Sequence, residues 1–390
     1  MDFEFTDEQR MMIDSARQVG ERFGLEYWRE HDARKAFPKA FWQAVCEAGL
    51  SGAALPEAHG GSGLGMLELA LIVETLASTG GGSTVGQLFM INPIFGGVSI
   101  SRFGNAQMQR ELLPKIISGE INCCMALTEP DAGTNTLELK SFARADGDGW
   151  RLSGRKVWIT GVESAQKMLV IARTKKLADS KSRTDGLSMF MIDVQREGLT
   201  HTPIEKLGTC TLDSSSVFFD DVRIEPDELV GTLHGGWREL LDVLNTERIV
   251  TTAGLVGSGA LAIRLAVDYA NDRKVFGDRP ISSYQAIQFP LAQGHAEIAA
   301  ARLLNQKAAT NFDRDLPYGS DANAAKLLAA QACSQVTERA MQAMGGMGYA
   351  KEFHVERLWR DCRLFRFAPV SEEMILNYVA SHDLGMPRSY

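Results

Sequence analysis

This chain of 390 residues lacks most of the features that mark specialised protein classes. It has no block of clustered lysine and arginine. Its 41 basic residues are outnumbered by 49 acidic ones, for a net charge of −8. Phosphate backbones are bound by clustered cations, so no nucleic-acid partner is expected. The basic residues around Thr174 (Arg173, Lys175, Lys176, Lys181 and Arg183) are mixed with Asp and Ser and read as a solvated excursion. The six cysteines, Cys46, Cys123, Cys124, Cys210, Cys333 and Cys362, form no CxxC pair and lack histidines at ligand spacing. Buried free thiols are expected, not a disulfide framework or a zinc site. The seven histidines make no HExxH, and no metal is expected. Long apolar runs are also missing: Leu69 to Leu76 comes nearest, is broken by Glu74, and falls short of the ~18 residues of a membrane span. The start, Met1-Asp2-Phe3-Glu4-Phe5, has neither the basic head nor the apolar middle of a signal peptide and is too acidic for a transit peptide. A cytoplasmic location, or a mature form shown without its leader, is the expectation.

What is present suits a globular protein of two or three packed units, with 45% apolar and 23% charged residues. Residues 1–120 read as an N-terminal helical domain. Thr6 or Asp7 can cap a helix from Glu8 towards Phe23, a second spans Lys39 to Ala48 with Gly49 as its stop, and a third spans Leu67 to Ser78. Gly60 to Gly65 imitates a dinucleotide loop but follows a turn, not a buried strand. It and Gly80 to Gly82 therefore read as flexible connections. Residues 121–233 change pattern. The runs 150–159, 168–173, 187–192 and 217–222, separated by Gly, Asp and Ser, predict a middle β-barrel-like domain.

From 234 to 390 the helical period returns and predicts a C-terminal four-helix bundle: Trp237 to Arg273, Gln285 to Phe312, Ala322 to Met344, and a last helix capped by Ser371 with Glu372 and Glu373 in its first turn. The fold class is α+β. On the first of these helices, Leu240, Val243 and Leu244 set an apolar stripe, and Glu247 falls on it. A carboxylate there needs a partner or a job. A buried ion pair or a capping contact is one reading, and a catalytic base is the other.

Four motifs occur in a telling order: Ala126-Leu127-Thr128-Glu129-Pro130-Asp131-Ala132-Gly133-Thr134-Asn135; Lys156-Val157-Trp158-Ile159-Thr160-Gly161; Arg273 through Phe276-Gly277 to Gln285; and Gln342-Ala343-Met344-Gly345-Gly346-Met347-Gly348-Tyr349 followed by Arg360-Asp361. Together, over roughly the last two-thirds of the chain, they resemble the acyl-CoA dehydrogenases. Taken singly, Trp158 in a strand is by default a core aromatic, Arg273 a partner of a helix terminus, and Gly345-Gly346 a helix cap.

The resemblance implies a homotetramer that binds FAD, oxidises an acyl-CoA thioester and passes electrons to an electron-transfer flavoprotein. It places Met125, Leu127, Thr128, Gly133, Thr134, Trp158 and Thr160 at the flavin, with Ser371 and Glu373 as further cofactor contacts. Arg273, Phe276, Gln285, Gln342, Gly345 and Gly346 would hold the adenine half of an FAD in a neighbouring subunit. Gly277-Asp278-Arg279-Pro280-Ile281 is one residue longer than the family's version, and Thr134-Asn135 replaces its Ser-Asp. The position of the family's usual glutamate falls on Pro369, which can accept no proton. Glu247-Arg248 instead resembles the pair found in isovaleryl- and long-chain-type members, which makes Glu247 the base. Asn245, Arg248, Thr134 and Val370 are then substrate contacts. Pro369 also lacks the N–H that the family offers to the thioester oxygen: either the Val370 N–H substitutes after a local shift, or the substrate sits differently, or the chain is a weak or non-catalytic subunit. A reductase or oxygen-using relative, or a partner subunit without activity, stays open at this point.

Overall fold

The computed structural model describes residues 4–387, so Met1 to Phe3 of the acidic start lie outside the described residues. Helices come first: α1 (Asp7–Glu21), α2 (Gly24–Arg34), α3 (Lys39–Glu47), α4 (Met66–Leu76), α5 (Ser83–Phe89), α6 (Ser99–Phe103) and α7 (Ala106–Ile117). Of the two candidate caps of α1, Thr6 is the one used. Its hydroxyl accepts from the Gln9 N–H, and the Gln9 side chain accepts from the Thr6 N–H, each at 3.1 Å.

The two glycine clusters are not loose. Gly61, Ser62 and Gly63 donate their N–H groups to Pro56, Gly52 and Leu55 carbonyls at 2.9–3.1 Å. Gly80 and Gly81 lie in a wide helical turn between α4 and α5. A Cβ on Gly81 would stand 2.7 Å from the Trp28 ring, so these glycines exist to let that indole pack.

The strands follow as β1 (Cys123–Ala126), β2 (Phe142–Asp146), β3 (Gly149–Thr160), β4 (Lys167–Arg173), β5 (Leu187–Asp193), β6 (Leu199–Pro203), β7 (Ser214–Ile224) and β8 (Leu229–Val230). They form one sheet in the order β6-β7-β3-β2-β4-β5-β8, with β1 beside β4. The β4 pairings with β1 and β2 are parallel and the rest are antiparallel. Why β4 and β5 read as unbroken apolar runs is now plain. Met168, Val170, Phe190 and Ile192 face one core, while Leu169, Ile171, Met189 and Met191 face a second core shared with α6, α7 and the start of the C-terminal domain.

The C-terminal part holds α8 (Gly236–Asp272), a short hairpin of β9 (Lys274–Val275) and β10 (Arg279–Pro280), then α9 (Gln285–Asp313), α10 (Gly319–Met344), α11 (Val355–Arg363) and α12 (Glu372–Tyr378). The three long helices pack on one another, and the short α11 closes against α10 and α8. The hairpin absorbs the extra residue seen in the sequence, with Phe276 and Gly277 turning at φ +50° and +98°. The longest apolar stretch lies in α8, not at Leu69–Leu76. By length and composition it could cross a membrane, yet 78% of that window is buried inside the molecule, as befits the central helix of a core.

Candidate active site

Glu247 sits on the inward face of α8 and is fully buried. Thr251, one turn on, donates its hydroxyl to Oε1 at 3.3 Å. The other oxygen, Oε2, has no hydrogen-bond partner. Burial pushes the carboxyl up to about 7, opposed by the positive charges of Arg248 and then Lys326. Arg248 does not close an ion pair on it; its guanidinium Nη1 donates to the Asn245 side-chain oxygen. Neither an ion pair nor a capping contact accounts for this glutamate.

Why α8 comes close to the N-terminal helices is settled by two glycines. A Cβ on Gly254 would lie 2.8 Å from the Gly86 Cα, so α5 and α8 cross almost backbone to backbone. Gly254 is two turns after Glu247 on the same helix face. Gly86 through Asn92 are all buried beside this crossing. A Cβ on Gly97 would meet Leu55 at 2.7 Å, so packing there requires a glycine.

Two of the sequence motifs turn out to be bolted together. Glu129 and Lys156 form a buried ion pair at 3.0 Å. Glu129 also accepts from the Lys140 and Ser141 N–H groups at 2.7 and 2.9 Å, and Lys156 donates to the Leu127 carbonyl at 2.8 Å. Burial alone would push the Glu129 carboxyl up. The Lys156 ammonium and these N–H donors outweigh it and hold the group below its ordinary range. The Val157 N–H donates to the Thr128 carbonyl at 2.9 Å. The segment Met125–Thr134 is thereby fixed against β3, with Leu127 and Thr128 half-buried and Gly133 and Thr134 exposed. Neither locking residue was singled out from the sequence; a charged residue in each motif, Glu129 before Pro130 and Lys156 inside a strand, was the available signal.

Trp158 corrects the default reading of a core aromatic. It is 55% exposed and has φ +62°, at a register shift between β3 and β7. A bulky side chain in the left-handed region is held there only by its surroundings. Thr160 stands two residues on, its hydroxyl 3.4 Å from that of Ser214.

The remaining cofactor candidates gather at one end of the bundle. Gly294 of α9 faces Val336 of α10, and Arg339 donates to Glu297 at 2.9 Å. The start of α9 (Gln285) and the end of α10 (Gln342, Gly345 and Gly346) therefore share that end. Arg273 joins them, because its carbonyl accepts from the Ile281 N–H at 2.8 Å just before α9. Gln285, Gln342, Gly345, Gly346 and Arg273 are all exposed, and Phe276 is 93% exposed. Gly345 does end α10 at φ +58°, as a cap would.

At the other end, Pro369 is exposed and Val370 half-buried. The Ser371 hydroxyl caps α12 by accepting from the Met374 N–H at 3.4 Å. Glu373 is exposed, and Glu372 is tied to Arg366 and to Gln331. The sequence missed Lys326, a fully buried ammonium beside this turn. A lone cation among Ala322, Ala325 and Ala329, on the face that packs inward, was its signal.

The donor set suits a flavin dinucleotide. Gly133, Gly345 and Gly346 have open space where a Cβ would stand, two of the motifs present exposed aromatic rings at positive φ, and a buried carboxylate oxygen is left without a partner. Helices, sheet and bundle in this order, around a buried carboxylate, are the arrangement expected of the family that the four motifs resemble. The chain belongs to the acyl-CoA dehydrogenase family: its N-terminal domain matches residues 6–120, its middle domain residues 124–222, and its C-terminal domain residues 234–383. Acyl-CoA dehydrogenase FadE12 of Mycobacterium tuberculosis is 38% identical over 94% of both chains. The mitochondrial short-chain specific acyl-CoA dehydrogenase of Bos taurus is 33% identical over 99% of this chain and 92% of its own. The glutaryl-coenzyme A dehydrogenase glutaryl-CoA complex superposes with a TM-score of 0.95 at 29% identity, covering 100% of this chain and 98% of the other.

Proposed function

We propose that this member of the family oxidises its acyl-CoA with Glu247 as the base that removes the α proton. FAD, the family's cofactor, supplies the acceptor for the hydride that leaves the β carbon. The observation that carries the assignment is the Glu247 carboxylate itself: fully buried, without an ion-pair partner, one oxygen unbonded, and titrating near 7. Those are the properties a general base working at neutral pH needs. Asn245, two residues before Glu247, and Arg248, the residue after it, are bonded to each other and lie where the pantetheine would pass. Thr134 adds a hydroxyl to that path. The Val370 N–H takes the place of the donor that Pro369 lacks for the thioester oxygen.

Met125, Leu127, Thr128, Gly133, Thr134, Trp158 and Thr160 hold the flavin half of the cofactor, with Ser371 and Glu373 nearby. Arg273, Phe276, Gln285, Gln342, Gly345 and Gly346 hold the adenine half of a neighbour's cofactor in a homotetramer, which accounts for their exposure in a single chain. A cytoplasmic location and an electron-transfer flavoprotein as the oxidant complete the reading.

The test is anaerobic mixing of the purified protein with a panel of acyl-CoAs while the flavin absorbance is followed. The wild type is expected to bleach with one substrate class. Glu247→Gln, with its flavin content unchanged, is expected to bleach at least ~100-fold more slowly. Equal rates in the two proteins would remove Glu247 from the role.

A further inference from the structure

Lys326 is a fully buried ammonium on α10. It donates to the Phe365 carbonyl at 2.6 Å and to the Val370 carbonyl at 2.7 Å, which occupies two of its three N–H groups. The two carbonyls bracket the turn that carries Pro369. Carbonyls are neutral, however, and an ammonium taken out of water needs an opposite charge. The charged groups that act on it are Glu247 and Arg248 from α8, and Glu372 and Glu373 from α12. Glu372 is already matched by Arg366, through both Nε and Nη2. Glu373 is exposed and solvated. Among these acids, that leaves Glu247, whose own neighbour Arg248 is turned towards Asn245. Of the other helices packed on α8, α5 carries no titratable side chain, and Glu74 of α4 is matched by Arg302 of α9. Two buried opposite charges, each lacking a bonded counter-ion, therefore remain on facing helices.

We propose that Lys326 is a positioning residue for the reaction: it holds the Phe365–Val370 turn against the bundle and supplies the charge that keeps the buried Glu247 ionised. The second half rests on the reading of Glu247 as the base. One side chain thus serves both sides of the thioester site. Its N–H groups fix the turn that offers the Val370 N–H, and its charge acts on Glu247 from the neighbouring helix. Burial leaves the Lys326 ammonium itself lowered to about 8, so it is still protonated at the pH where Glu247 titrates near 7.

The test uses the holoenzyme and three variants. Lys326→Met removes both roles, Lys326→Gln keeps N–H donors without the charge, and Lys326→Arg keeps the charge. The readout is the infrared titration of the Glu247 carboxyl, obtained by difference against Glu247→Gln, together with the pH profile of kcat/KM. Lys326→Met and Lys326→Gln are expected to raise the carboxyl midpoint by about one pH unit. The acid limb of kcat/KM should move with it, and Lys326→Arg should stay at the wild-type midpoint. If Lys326→Met does not fold, the Gln and Arg variants decide. An unmoved midpoint in Lys326→Gln overturns the proposal even if activity falls, because a merely structural lysine would lower the rate without moving the titration. The infrared midpoint is independent of turnover. Should Glu247→Gln stay active, the base reading fails while Lys326 is still judged by its effect on that carboxyl.

Discussion

At the scale of single residues, burial sets the chemistry of Glu247. A carboxyl with an ordinary value of 4.5 titrates near 7 because the folded protein removes water from it, and Arg248 and Lys326 offset only part of that. The sign follows directly. The folded value lies above the unfolded one, so this group favours folding fully below about 4.5, and that contribution is lost as the pH climbs through about 7. Activity runs the other way, since only the ionised form accepts a proton. The rate of flavin reduction by substrate is expected to rise about tenfold per pH unit on the acid side of the Glu247 midpoint and to level off above it. Stopped-flow measurements across that range check it. A flat profile would show that another group takes the proton.

Among the elements, the crossing of α5 and α8 carries the site. Gly86 and Gly254 let the two backbones meet, and every added atom at Gly254 would press on the Gly86 main chain. Backbone cannot rotate away as a flexible side chain can, so the helices themselves must part. Gly254→Ala is expected to cost roughly 1–3 kcal/mol of stability, read as a lower urea midpoint. It is also expected to slow flavin reduction, because Glu247 rides on the same helix face two turns earlier. A variant as stable and as fast as the wild type would show that the crossing has slack. On the sheet side, the register shift that lifts Trp158 out of the core works in the same manner, with local backbone geometry delivering one side chain to a surface it would otherwise not reach.

The whole molecule is tied together by a short stretch of α11. Arg360 donates to Asp32 of α2 at 2.7 Å, to its helix neighbour Glu356 at 2.7 Å, and to the Leu207 carbonyl of the middle domain at 3.2 Å. Asp361, fully buried, accepts from the Thr209 N–H and lies 3.6 Å from Arg357, which in turn donates to the carbonyls of Gly80 and Gly81. The Arg-Asp pair that anchors the last motif thus joins all three parts of the chain. Truncating Arg360→Ala strands the acids of two domains and is expected to destabilise the protein by roughly 3 kcal/mol. Urea unfolding followed by both tryptophan fluorescence and far-ultraviolet dichroism checks it. The two transitions, coincident in the wild type, are expected to separate in the variant as the domains uncouple. Coincident transitions at an unchanged midpoint would remove Arg360 from that role.

Much of this protein is written locally in its sequence. The long apolar stripes of α8, α9 and α10, the capping residues Thr6 and Ser371, the alternating strands and the four motifs all act over short stretches, and a turn of helix or a strand pair is decided by nearby residues. Glu247 was legible for the same reason, as a charge on an apolar stripe. Other features depended on distant parts of the chain meeting. The pairing of Glu129 with Lys156, the placement of Lys326 between Val370 and Phe365, and the Gly86–Gly254 crossing join residues far apart in sequence, and no local pattern encodes which buried charge faces which. The glycines at 80–82 show the difference most simply. By sequence they are loop formers, and only the Trp28 ring packed against Gly80 and Gly81 makes that stretch a buried helical turn. Sequence determined the helices, the strands and the carboxylate. Tertiary structure alone decided that this carboxylate is dry, unpaired and titrating near neutrality, because removal of water is a property of the assembled core and of no single segment.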